Sequence, residues 1–134
     1  MNRLDQKCNS ESDLLKVLVI DPFLMYRDVL RKKIRDRCPD AHITEIDKTE
    51  RLSKIIQRES PGIVFVDFAM YPKHALAHVR SIKRQLPASV IVVLTTHDSA
   101  EHEAAAYQYG ADYFISKAKP SSLPLIDKVL DTVS

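Results

Sequence analysis

Two acids, a hydroxyl and an amine each follow directly on a short apolar run. Asp21 follows residues 17–20, Asp67 follows 63–66, Thr95 follows 90–94 and Lys117 follows 113–116. Asp67 is the most informative of them. A carboxylate at the end of an apolar strand costs folding energy unless it is solvated or paired. A second carboxylate close by repels it, and a divalent cation relieves that repulsion. Mg2+ takes one or two carboxylates together with phosphate oxygens and waters. An ammonium offers a point charge to a phosphoryl oxygen, and a hydroxyl donates to another. The four side chains therefore suit phosphoryl chemistry. There an ionised Asp serves as nucleophile, and positioning and charge neutralisation do most of the remainder. Singly, each has a plainer account: an Asp at a turn, an Asp capping a helix ahead of Pro22, a surface lysine.

Elements must bring these residues together, and the patterning supplies them. The apolar runs at 16–20, 63–67 and 89–95 are continuous, as in parallel strands buried on both faces. Residues 41–46 alternate loosely and read as a second, less buried strand, and 112–116 as a fifth. Between them lie amphipathic segments. The first opens near Pro22, repeats Met25, Val29, Leu30 and Ile34 at helical spacing and closes before Pro39. The second carries Leu52, Ile55 and Ile56 and stops near Ser60 at Pro61-Gly62. After a loop at 68–73, the third carries Leu76, Val79 and Ile82. The fourth is Ala-rich, opens on a capping-box-like Asp98-Ser-Ala-Glu101 and stops at Gly110. Ser121 caps a fifth with Leu123, Ile126, Val129 and Leu130. Alternating β and α units predict a parallel sheet covered on both faces. Of the doubly wound orders, five strands fit the flavodoxin-like 2-1-3-4-5, with chemistry outside the carboxyl ends of the strands.

Composition narrows the function classes. The chain has 134 residues, 45% apolar and 28% charged, which fits one globular domain, and its net charge of +2 is too weak to argue for a nucleic-acid partner on its own. Residues 1–15 read as a flexible polar leader and 16–134 as the domain. No run approaches membrane-spanning length, and the first residues lack the apolar core of a signal peptide. Cys8 and Cys38 make no disulfide framework or zinc spacing. The expectation is a cytoplasmic protein with reduced thiols.

The stretches VLVID at 17–21, IVFVD at 63–67, VIVVLT at 90–95 and GADYFISK at 110–117, with the spacing between them, resemble response-regulator receiver domains of two-component signalling. The resemblance covers residues 16–133. The segment at 22–30, with Tyr26-Arg27-Asp28, is similar to regulators that carry a helix-turn-helix output domain, although the 134 residues hold none and read as a stand-alone receiver. The resemblance implies that Asp67 accepts phosphate from a phosphohistidine on a sensor histidine kinase or histidine phosphotransfer protein. It implies Mg2+ held by Asp21, Asp67 and the backbone carbonyl of Ala69, and Lys117 against the phosphoryl group. Thr95 and Phe114 would switch on phosphorylation, Phe114 by turning inward. The chain would be a phosphoacceptor, not an enzyme, with a homodimer as an open question and neither nucleic acid nor membrane as a direct partner.

The sequence also departs from the family pattern. Pro22 stands where the family usually has a second acid that ligates the metal, so Mg2+ binding is expected to be weakened. The loop after Asp67 reads Met70-Tyr71-Pro72-Lys73-His74 without glycine, Thr96 fills a usually small position, and Ala118 follows Lys117 where Pro is frequent. These departures sustain an alternative: a pseudo-receiver that acts as a protein-interaction module without phosphorylation. An aspartate-nucleophile phosphatase would need an acid two residues after its nucleophile, and Phe23 and Ala69 stand there instead. A flavin site would want a glycine-rich loop after the first strand. His74 and His78, four apart, form a weak metal pair without a third ligand. The first helix carries Arg27, Arg31, Lys32, Lys33, Arg35 and Arg37 against Asp28 and Asp36. That patch reads as a solvated face, or less readily as a docking surface for an acidic partner.

Overall fold

The computed structural model describes residues 14–68, 72–96 and 98–133. Five strands, β1 (Lys16–Ile20), β2 (His42–Ile46), β3 (Ile63–Asp67), β4 (Val90–Thr95) and β5 (Tyr113–Ser116), form one parallel sheet in the order β2-β1-β3-β4-β5. This is the flavodoxin-like arrangement that the alternation predicts. Helices α1 (Leu24–Arg37), α2 (Leu52–Glu59), α3 (Pro72–Gln85), α4 (Ala100–Tyr109) and α5 (Ser122–Val133) connect and cover it.

The continuous apolar runs are explained by the two cores. Successive strand side chains point to opposite faces. Val17, Val19, Ile63, Phe65, Val92 and Leu94 pack with Leu30 and Ile34 of α1 and Ile126, Val129 and Leu130 of α5. Leu18, Ile20, Val64, Val66, Ile91 and Val93 pack with α2, α3 and Ala106 of α4. Neither face of β3 meets water: all five of its residues are buried. Burying each such aliphatic or aromatic side chain contributes about 1.5–3 kcal/mol.

Some local expectations are corrected. α1 starts at Leu24, and Phe23, not Asp21, is its N-cap residue. Leu30 and Ile34 are buried, but Met25 is 84% exposed and Val29 is at the surface. The inward stripe keeps the predicted Leu30 and Ile34 and takes Tyr26 in place of Met25 and Val29. Ser99, not Asp98, caps α4: its hydroxyl accepts the His102 N–H at 3.1 Å. Leu123 of α5 is exposed. Phe68 follows β3 outside any element, as expected, but is fully buried against the sheet. Gly110 ends α4 as expected, with φ 118°, and a Cβ there would meet the Lys83 side chain at 3.1 Å. Cys38 is buried at the end of α1, and Cys8 lies outside the described residues. No helix among the described residues is long and apolar enough to cross a membrane.

The basic face of α1 is not a free solvated patch. Arg27 and Arg31 reach Glu45 of β2 at 3.4 and 3.2 Å, and Arg31 also pairs with Asp28. Lys33 and Arg37 both reach Asp127 of α5, at 3.1 and 3.3 Å, and Arg37 pairs with Asp131 as well. Arg35 donates to the carbonyls of Pro39 and Ala41. Most of these cations tie elements of the domain together.

Candidate functional site at the strand ends

Register brings the acids together. Ile20 pairs with Val66 across β1 and β3, so Asp21 and Asp67 are the next residues on neighbouring strands. β1 and β3 also flank the point where the strand order reverses, the usual crevice in open α/β sheets. Asp67 pairs with Leu94, one residue before Thr95, and Thr95 pairs with Ser116, one before Lys117. The amide of Lys117 donates to the carbonyl of Thr95 at 2.8 Å, which continues the ladder to the site. All four predicted residues thus lie at the carboxyl end of the sheet.

The ammonium of Lys117 bridges the acids. It donates to Asp21 Oδ2 at 2.7 Å and to Asp67 Oδ2 at 2.6 Å. The Lys117 side chain is 7% exposed, and those of Asp21 and Asp67 are 2% and 1% exposed. Asp21 Oδ1 accepts the Phe23 N–H at 2.8 Å. Burial pushes the Asp21 carboxyl above the ordinary carboxylate range, against the opposing pull of its bonds to Lys117 and Phe23, and the charge of Asp67 adds to the rise. Arg27 Nη1 donates to the Asp21 carbonyl at 2.6 Å and holds the end of β1 against α1.

Thr95 is fully buried at the end of β4. Phe114 of β5 is partly buried against the α2–α4 core, with its ring edge-on to that of Phe68 at 6.4 Å. Thr96 is exposed. Ala69, Met70 and Tyr71 lie outside the described residues. A cavity of about 190 Å3 opens beside Asp67, lined by Ile20, Val66, Lys48, Glu50, His74 and His78 among others. His74 and His78 thus share a wall with Asp67, but no group of three such ligands that could hold a metal occurs among the described residues. His78 is held below the ordinary histidine value by burial and, secondarily, by His74.

Sequence reasoning missed the aromatic side of the site. The Lys117 ammonium lies 4.1 Å from the Tyr26 ring centroid and 5.3 Å from that of Phe23. The available signal was position: a helix that starts directly after β1 lays its first turn over the strand end. The donor set suits a hard cation, since two buried carboxylates on adjacent strands offer only oxygen. No other acid follows β1 directly, because Pro22 stands there.

Comparison with known proteins gives the same frame. The response regulator receiver domain model matches residues 17–128. A glycerol metabolism activator of Pseudomonas putida is 24% identical over 110 residues, covering 81% of this chain and 50% of that protein. A protein-glutamate methylesterase/protein-glutamine glutaminase of Geobacillus kaustophilus is 35% identical over 118 residues, covering 83% of this chain and 32% of that protein. The chain therefore spans half or less of these curated relatives. Among solved structures, the signal receiver domain of a DNA binding response regulator from Colwellia psychrerythraea superposes with a TM-score of 0.80 at 17% identity, over 88% of this chain and 96% of that one. An orphan response regulator of H. pylori gives 0.76 at 20% identity, over 90% and 97%. With a family model matched over most of its length and the strand order and strand-end residues above, the chain belongs to the response regulator receiver domain family.

Proposed function

We propose that this receiver accepts a phosphoryl group on Asp67 from a phosphohistidine of a sensor histidine kinase or histidine phosphotransfer protein. The observation that carries the reading is the Lys117 ammonium, 2.6 Å from Asp67 and 2.7 Å from Asp21 in a nearly dry site. An Asp67 carboxylate oxygen would form the new P–O bond as the donor's P–N bond breaks, and the imidazole nitrogen keeps that electron pair. Lys117 sits where charge on the transferred group needs balancing. Family members generally bind Mg2+ at the phosphorylation site. Here Asp21 and Asp67 would hold it, with the Ala69 carbonyl as the third protein ligand. When bound, Mg2+ supplies positive charge against the phosphoryl oxygens. Pro22 leaves the site one carboxylate short of the usual set, so binding is expected to be weaker by about 10- to 1000-fold.

Thr95 would donate to a phosphoryl oxygen and Phe114 would move with it, a local charge event biasing a two-state element. The domain would occupy residues 16–134 after a polar leader and act in the cytoplasm, as receivers typically do. It would act by binding partner proteins, with self-association one such mode, and would not contact nucleic acid or membrane directly.

Incubation with beryllofluoride and Mg2+ tests this reading, with an adduct expected that Asp67→Asn abolishes. The absence of any adduct at high Mg2+ would overturn it. Pro22 is the observation that favours the second reading, a phosphorylation-independent interaction module. That reading wins if partner binding and cellular output are unchanged in Asp67→Ala.

A further inference from the structure

Lys117 is held by more than its two acids. Two carboxylates and one ammonium leave the site with a formal charge of −1, so electrostatics alone would keep the lysine near. Electrostatics alone would not fix where it sits. The Tyr26 ring face, 4.1 Å from the ammonium, and the Phe23 ring, 5.3 Å away, do that. Both come from the start of α1, which the Arg27–Asp21 carbonyl bond anchors to the end of β1. The Tyr26 hydroxyl is buried beside Ser122 without a well-formed hydrogen bond, so the ring face is the useful part of this tyrosine. Phe23 is 55% exposed, which spends an aromatic ring at the surface where a polar residue would serve a plain helix start. Its ring lies on the outer side of a lysine whose side chain is only 7% exposed.

We infer that Tyr26, with Phe23 on the outer side, is a positioning residue: the two rings clamp the Lys117 ammonium astride Asp21 and Asp67, so the chain carries its own counter-cation between the carboxylates. The role in phosphoryl transfer rests on the reading of Asp67 as acceptor. The clamp itself rests only on the geometry. It acts in opposite directions on two ligands. A divalent cation must compete with the resident ammonium for the same two Oδ2 atoms. A phosphoryl-like anion on Asp67 gains from an ammonium already in place. A cation–π contact in a desolvated site of this kind corresponds to roughly three- to thirty-fold in an equilibrium constant.

The test uses the full chain with Tyr26→Phe, which keeps the ring, and Tyr26→Met, which replaces it with a flexible apolar side chain. The first readout is the proton–nitrogen correlation signal of the Lys117 ammonium, which appears only when the group is shielded from rapid exchange. It is expected in the native chain and Tyr26→Phe, and lost in Tyr26→Met. The second is Mg2+ alone by calorimetry, expected to bind three- to thirty-fold more tightly to Tyr26→Met. The third is beryllofluoride at saturating Mg2+, expected to bind more weakly to the same variant by a similar factor. A merely structural role would weaken both ligands together, and that result overturns the inference. So does an ammonium signal that survives in Tyr26→Met, or a Tyr26→Phe chain that behaves like Tyr26→Met. Should Tyr26→Met not fold, Phe23→Leu is expected to give smaller shifts of the same signs, and no shift overturns the inference. A native chain that binds neither Mg2+ nor beryllofluoride defeats the phosphoacceptor reading, while the ammonium signal still decides the clamp.

Discussion

At Asp21, burial and pairing pull in opposite directions. Burial dominates and raises the carboxyl above its ordinary range, although Lys117 and the Phe23 amide favour the ionised form. For an acid this reverses the common sign of linkage. The native state binds the Asp21 proton more tightly than the unfolded chain does. Asp21 therefore adds stability at low pH, and that contribution is withdrawn as pH rises through its native value. At neutral pH the ionised group is a cost to stability. Asp21→Asn is expected to raise the melting temperature at pH 7, by about 1 kcal/mol or a few degrees, and to shrink the gain as the pH falls toward the ordinary carboxylate range. Thermal melts of both chains from pH 4 to 7.5 measure this. A lower melting temperature for Asp21→Asn across the range would mean that the bridge to Lys117 outweighs the burial. The same residue illustrates what a sequence shows. Its position at the end of an apolar strand was legible, because burial on both faces leaves a continuous apolar run. Its partner Tyr26 was not, because nothing in a string of residues says which side of a helix's first turn faces a strand end.

Between elements, the ion pairs of α1 act as a clasp. Asp127 of α5 accepts from Lys33 and Arg37, and these bonds outweigh burial, which alone would raise it, so its carboxyl lies below the ordinary range. Here the sign is the usual one for an acid. The stability is present above the unfolded value near 3.8 and is lost as pH falls through the depressed native value. Asp127 is 31% exposed, so solvent screens it and the contribution is modest. Asp127→Asn is expected to cost ~0.5–1 kcal/mol at pH 7 and clearly less at pH 2, and a double-mutant cycle with Lys33→Met should recover a coupling of a few tenths of a kcal/mol. Equal losses at both pH values would point to packing instead of charge. These partners are 90 or more residues apart, which is why the basic run read as a solvated face: the charges were legible and their long-range neighbours were not. Met25 and Val29 failed for a related reason. Tyr26, Leu30 and Ile34 also repeat every four residues, and only the packing of α1 on the sheet decides which stripe turns inward.

Across the whole molecule, stability is distributed unevenly, and the site straddles the difference. Asp21 directly follows β1 and Asp67 ends β3, central strands that are covered on both faces. Lys117 follows β5, an edge strand whose first two residues are only partly buried. Above that half lies α4, which buries only Ala106 among its ten residues. β2, at the other edge, buries none of its five. Local opening draws on regions with few buried apolar contacts. The carboxylates are thus fixed to the rigid part of the sheet, while the counter-charge and Phe114 belong to a part that can shift at lower cost. That division would suit the switch proposed for Thr95 and Phe114. Native-state amide exchange should show it: amides of β1, β3 and β4 exchanging only through global unfolding, and those of α4 through openings at least about 2 kcal/mol cheaper, or roughly 30-fold faster. A beryllofluoride adduct on Asp67 that bonds the Lys117 ammonium already in place should slow exchange in α4 and β5 and leave β3 unchanged. Amides of α4 as slow as those of β3 in the unmodified chain would mean that the domain opens as one unit, and that the signal proposed at Asp67 would have no softer half through which to leave.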